Sequence, residues 1–141
     1  MFRIVVTSAW LLAAVASPAT GHEDLWKVTE DNAAWRSECG ACHMAFPPGM
    51  LPAGDWLVIM RGLDRHFGAN ASLDEPVRSQ IAAFLERHGA SGFFLGGGDE
   101  APRITATSWF ERKHQGAIRL WRKGRVKSLV ECPVCHQGRG M

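Results

Sequence analysis

Cys39-Gly40-Ala41-Cys42-His43 and Cys132-Pro133-Val134-Cys135-His136 are two copies of one pattern, C-x-x-C-H. It is the pattern to which c-type haem is covalently attached. Each residue type has one job: the two thiols reach the two vinyl groups of a single porphyrin, and the adjacent imidazole reaches the iron as its proximal axial ligand. All four cysteines of the chain fall into the two motifs. Cys39, Cys42, Cys132 and Cys135 are therefore read as haem anchors, and His43 and His136 as iron ligands.

Two other uses of paired cysteines fit the pattern less well. Four thiolates make a closed tetrahedral zinc site, but 89 residues separate the pairs here, against the roughly 15–20 usual between zinc-binding pairs. Disulfides suit an oxidising compartment, yet c-type haem is attached in that same compartment. The histidine that follows each pair separates haem from both alternatives.

The 141 residues begin with an export signature: Arg3, then the apolar run Ile4 to Ala16, then small residues and Pro18. This reads as a secretory signal peptide over residues 1–21, too short with its flanks to span a bilayer. Its removal leaves 120 residues, about 60 per haem. A core that small is marginal alone, so two porphyrins are expected to supply the missing apolar surface and the apo-protein to be largely unfolded.

The net charge of +2 conceals a polarity along the chain. Residues 22–100 hold 6 Lys or Arg against 12 Asp or Glu, a balance of −6, whereas residues 101–141 hold 9 against 2, a balance of +7. Arg112, Lys113, Arg119, Arg122, Lys123, Arg125 and Lys127 crowd into sixteen positions. Such a cluster can serve nucleic acid, but an exported haem protein rarely meets it. Neutralising haem propionates, steering toward an acidic partner, or simply forming a solvated helix face are the readings kept.

Periodicity predicts short helices. Thr29 is a candidate cap for one that runs into the first motif, and the loop Met44 to Pro52 is too rich in proline to continue it. Residues 55–67 carry Trp56, Ile59, Met60, Leu63 and Phe67 on one stripe, with His66 in the last turn. Ser72-Leu73-Asp74-Glu75 reads as a capping box opening a helix with Val77, Ile81, Phe84, Leu85 and His88 on its stripe, stopped by Gly89. The stretch Gly89 to Pro102, with Gly92, Gly96, Gly97 and Gly98 around Phe93-Phe94-Leu95, breaks the pattern. Ser108-Trp109-Phe110-Glu111 then reads as a second capping box, opening a helix to about Lys123 with Phe110, His114, Ala117, Ile118 and Trp121 on one side.

The expected fold is mainly α: a small two-lobed dihaem protein with short helices packed around two covalently attached haems. Its divisions are a signal peptide (1–21), an N-terminal haem lobe (22–95), a Gly-rich linker (96–102) and a C-terminal haem lobe (103–141). His66 lies 23 residues after His43, and His114 lies 22 before His136. That symmetry pairs His43 with His66 and His114 with His136, both irons six-coordinate. His88, Met60 and an exchange of distal ligands between lobes stay open, as does His22 at the probable new terminus.

Four stretches carry a resemblance. Residues 39–49 (CGACHMAFPPG), 63–74 (LDRHFGANASLD), 103–114 (RITATSWFERKH) and 132–136 (CPVCH) resemble the bacterial dihaem cytochrome c family. The resemblance implies a periplasmic electron carrier, not an enzyme, with two haem c groups and bis-histidine ligation in which His66 and His114 are distal. It implies redox partners, among them an oxygen-binding monohaem cytochrome c or a membrane cytochrome b, and neither nucleic acid nor stable membrane insertion after signal cleavage. The competing class is a haem enzyme or gas-binding protein with one open iron. A C-terminal C-x-x-C-H after a helix is similar to the c-prime cytochromes, but forty residues cannot build their four-helix bundle.

Overall fold

A computed structural model of the chain describes residues 30–92 and 102–136. The expected signal peptide, His22, the Thr29 cap and the glycines at 96–98 lie outside the described residues. The described residues are helical, with no strand among them. The five α-helices are α1 (Ala33–Cys39), α2 (Ala53–Arg61), α3 (Glu75–His88), α4 (Ser108–Lys113) and α5 (Gln115–Arg122). None of them is long and apolar enough to cross a membrane.

Helix α1 is short because its ends are specified locally. The Asn32 side chain accepts from the Trp35 N–H at 2.8 Å, which satisfies one orphan donor of the first turn. At the other end Gly40 donates to the Arg36 carbonyl, and a Cβ there would stand 2.2 Å from that oxygen. Only glycine fits. The helix thus delivers Cys39 at its last turn and lets the chain turn away immediately.

The core forms where the apolar stripes of α2 and α3 meet. Leu51, Ile81 and Phe84 are fully buried, and Trp56, Ile59, Met60 and Leu85 pack with them. Trp35 of α1 closes the cluster against Phe84, with ring centroids 5.4 Å apart. Gly89 stops α3 not by adopting a left-handed conformation but by allowing contact: a Cβ there would meet the Ala53 backbone at 2.8 Å. Beside it the Ala90 N–H donates to Leu51 O at 2.8 Å, tying the end of α3 to the start of α2. Ile104 and Phe110 join the same buried cluster, so the two haem-motif segments of the sequence share one core.

The structure corrects several expected boundaries. The helix predicted over 55–67 begins at Ala53 and ends at Arg61, because Gly62 leaves the helical region and a 3-10 turn, Leu63–Arg65, follows. His66 therefore sits in a loop, not on a helix. The first capping box does not form: Asp74 is the N-cap of α3, and Glu75 turns to Arg78 and Ser79. The second shifts by one residue, since Thr107 Oγ1 accepts from the Phe110 N–H at 3.2 Å. The single helix predicted from Ser108 to Lys123 is two helices, parted at His114 with φ −119° and ψ 24°.

Candidate functional site

The cysteine spacing acquires its physical meaning in the second motif. Cys135 and His136 both donate backbone hydrogen bonds to Cys132 O, at 3.2 and 2.9 Å, so the pentapeptide closes one helical turn. Residues i, i+3 and i+4 of such a turn share a face. Two thiols and an imidazole are presented together, as covalent attachment and axial ligation of one porphyrin require.

Each motif histidine has a second histidine opposite it. The ring centroids of His43 and His66 are 6.2 Å apart with planes 20° from parallel. Those of His114 and His136 are 6.0 Å apart with planes at 58°. An imidazole bound through one nitrogen at about 2.0–2.1 Å has its ring centre roughly 3 Å from the metal. Two such rings on opposite sides of one metal are then about 6 Å apart, as both pairs are.

Separation alone is unremarkable for neighbouring rings; the orientation of one ring in each pair adds to it. His43 Nδ1 lies 2.7 Å from Met44 O, and His114 Nδ1 lies 3.1 Å from Phe110 O. A ring that donates through Nδ1 to a carbonyl has its tautomer set and keeps Nε2 as the free acceptor, the usual support of a metal-ligating histidine. The break at His114 creates this geometry. Its backbone still donates to Phe110 O, at 2.9 Å, while its ring stacks on the Phe110 ring at 4.1 Å and 11°. At His66 burial, then His43 and Arg103 nearby, push the pKa below the ordinary imidazole value, which favours the neutral ring. Neutral imidazole is the form that binds metal.

The loop between the first motif and α2 is pinned from the core. Trp56 Nε1 donates to Pro48 O at 2.6 Å, and Phe46 lies 5.3 Å from the His43 ring. Burial pushes the Cys39 thiol up to about 11, with Glu38 adding to it. Burial also raises Cys132, while Cys42 and Cys135 are exposed. Each motif thus has one inner and one outer thiol. At the second motif Phe110, Ala117, Val126 and Leu129 line a cavity together with His114 and Cys132, the apolar wall that a porphyrin face needs.

The remaining candidates stand elsewhere. His88 Nε2 lies 3.0 Å from Glu30 Oε2 and its ring 4.9 Å from that of Phe84, in a surface cluster that includes Arg87. Met60 is buried in the α2–α3 core. The four cysteines form no disulfide with one another, and no group of three metal-binding side chains converges among the described residues; the two cysteine pairs do not assemble a shared zinc site. Sequence reading missed Arg103, whose guanidinium lies 4.3 Å from the ring centre of Phe67, the residue after His66. Its only sequence signal was position, at the start of the third stretch of the resemblance.

Comparisons with known proteins show which family the chain and its fold resemble. The family described as dihaem cytochrome c matches residues 35–140. A structure described as DHC purified from Rhodobacter sphaeroides is 39% identical, with 77% of this chain and 93% of that one covered and a TM-score of 0.62. A dihaem cytochrome c of the same organism is 38% identical, covering 76% and 91%, with a TM-score of 0.63. A dihaem cytochrome type c from Shewanella baltica OS155 is 38% identical, covering 74% and 80%, with a TM-score of 0.62. No curated protein matches the chain.

Proposed function

Because the chain belongs to the dihaem cytochrome c family and its cofactors are accordingly two haem c groups, we propose that it is a periplasmic electron carrier, not an enzyme, that relays electrons between redox proteins. The observation that carries the reading is the pair of facing histidines at each motif, 6.2 and 6.0 Å apart. Cys39 and Cys42 anchor one haem between His43 and His66. Cys132 and Cys135 anchor the other between His114 and His136.

When bound, haem iron would supply a one-electron couple at each site, and the two histidines of each facing pair would hold it. The residues then act on potential and access. Carbonyls of Met44 and Phe110 orient two of the facing rings, and Phe110, Ala117, Val126 and Leu129 give the second site an apolar wall.

The partners are redox proteins with acidic docking faces; an oxygen-binding monohaem cytochrome c or a membrane cytochrome b fits the family resemblance. Helices α4 and α5 line the second site with Phe110, His114 and Ala117 and present Arg112, Arg119 and Arg122 along a separate surface groove. Attraction between exposed charges is screened by salt, so the reduction rate by such a partner should fall as ionic strength rises; an unchanged rate would remove the docking assignment.

The deciding experiment is low-temperature EPR together with near-infrared spectroscopy of the oxidised holoprotein and of His114→Ala. Two low-spin signals without a methionine-to-iron band support paired histidines, and the substitution should convert one of the two to high spin. A high-spin component in the unaltered protein, or no change on substitution, would favour a gas-binding or catalytic haem instead.

A further inference from the structure

Phe67 is the one non-glycine residue with a positive φ among the described residues, at +49°. The left-handed region is a strained place for a bulky side chain, and such residues persist only where their surroundings hold them. Here the holding is visible. The loop is closed by the Ala69 N–H on His66 O at 3.0 Å and by the Ala71 N–H on Leu63 O at 2.8 Å. The Phe67 ring, 37% exposed, lies between an imidazole and a cation: 4.8 Å from the His66 ring at 59°, and 4.3 Å from the Arg103 guanidinium carbon. Arg103 comes from the other haem-motif segment and directly precedes Ile104, which is buried in the shared core. Its backbone is therefore anchored although its side chain is exposed.

We propose that Phe67 and Arg103 form a clasp that positions the His66 imidazole over the first haem and raises the reduction potential of that haem alone. The proposal rests on the reading of His66 as a distal ligand. Phe67 is a positioning residue: the tilted ring contact restricts rotation of the imidazole about its axis, which is what keeps its plane close to that of His43. Arg103 acts twice. It holds Phe67 by a cation–π contact, and its fixed positive charge favours the reduced state, which carries one electron more. The guanidinium, the Phe67 ring and the His66 imidazole follow one another at 4.3 and 4.8 Å, and at such range a partly screened charge would change the reduction equilibrium of a haem held by His66 by about two- to tenfold.

The test is a redox titration with EPR on the holoprotein and on Arg103→Gln, Arg103→Lys, Phe67→Gly and His66→Ala. Arg103→Gln should shift one haem toward its ferric form by about two- to tenfold, the upper end being about 59 mV for one electron, and leave the other unmoved. Arg103→Lys should restore most of the shift. Phe67→Gly relieves the backbone while freeing the imidazole, so the g-values of one low-spin signal should change without loss of thermal stability. If Arg103→Gln and Phe67→Gly leave both potentials and both signals unchanged, or if both haems shift equally, the clasp is overturned. His66→Ala separates the two levels: no high-spin iron in that variant overturns the ligand reading itself, whereas high-spin iron with silent clasp variants overturns only the clasp.

Discussion

The two haem sites are built on different foundations. The first stands on a packed core, where α1 and α3 meet through Trp35 and Phe84 and the Cys42–Leu51 loop is pinned by the Trp56 hydrogen bond to Pro48. The second is framed by two short helices and irregular chain; no residue of α5 is buried, Trp121 is 45% exposed and Val134 56%. Burial raises the Cys39 thiol to about 11, whereas His136 lies exposed. A site whose walls are already packed binds its cofactor as a fitted part. A site with open apolar walls gains its packing from the cofactor, because the porphyrin covers surface that the chain leaves to water.

The widest test of that contrast is to withhold haem altogether. About 60 residues per haem bury little surface alone, so the apo-protein should lose helical circular dichroism, the contribution of α4 and α5 most completely. Retention of the full signal would mean that both sites are fitted in advance. Next in size, Cys132→Ser with Cys135→Ser should leave the helices of the first site intact and lose only the contribution of α4 and α5, whereas Cys39→Ser with Cys42→Ser should destabilise the whole chain. Equal losses from the two double variants would erase the distinction between the sites.

Truncation in the two regions should differ as well. Phe84→Ala removes a fully buried ring from the core and should cost about 3–5 kcal/mol in denaturant unfolding of the holoprotein. Leu129→Ala, at a half-buried position that packs on the cluster and lines the second cavity, should cost about 1–2 kcal/mol. A larger cost at Leu129 would place the stabilising contacts in the second site. The smallest effect is spectroscopic. Near-parallel imidazole planes split the iron orbitals more strongly than crossed ones, so the 20° pair should give the more rhombic EPR signal and the 58° pair the one with the larger maximum g-value. Two superimposable signals would deny any difference in ligand geometry.

Much of this was legible in the residues because attachment is local. The C-x-x-C-H pattern needs one turn of chain, and Ile81, Phe84 and Leu85 fall on one helical stripe whatever surrounds them. The ends of elements were less legible. Ser72 and Ser108 both stood in convincing capping sequences, yet Asp74 and Thr107 took the cap positions, since a box of four residues does not say where a neighbouring proline or a 3-10 turn will let the helix begin.

By itself the sequence determined the two attachment turns, the helical class and the four histidines at matched spacings of 23 and 22 residues, all of them consequences of bonds and periodicities within a few residues. The tertiary structure alone decided that His66 leaves its helix, that His114 breaks one helix into two, that Ile104 and Phe110 join the first site's core, and that Arg103 lies over Phe67. The last two depend on contacts between segments far apart in the chain, which burial and ring packing choose only once the whole chain has collapsed, whereas the first two turn on Gly62 and Phe110 a few residues away.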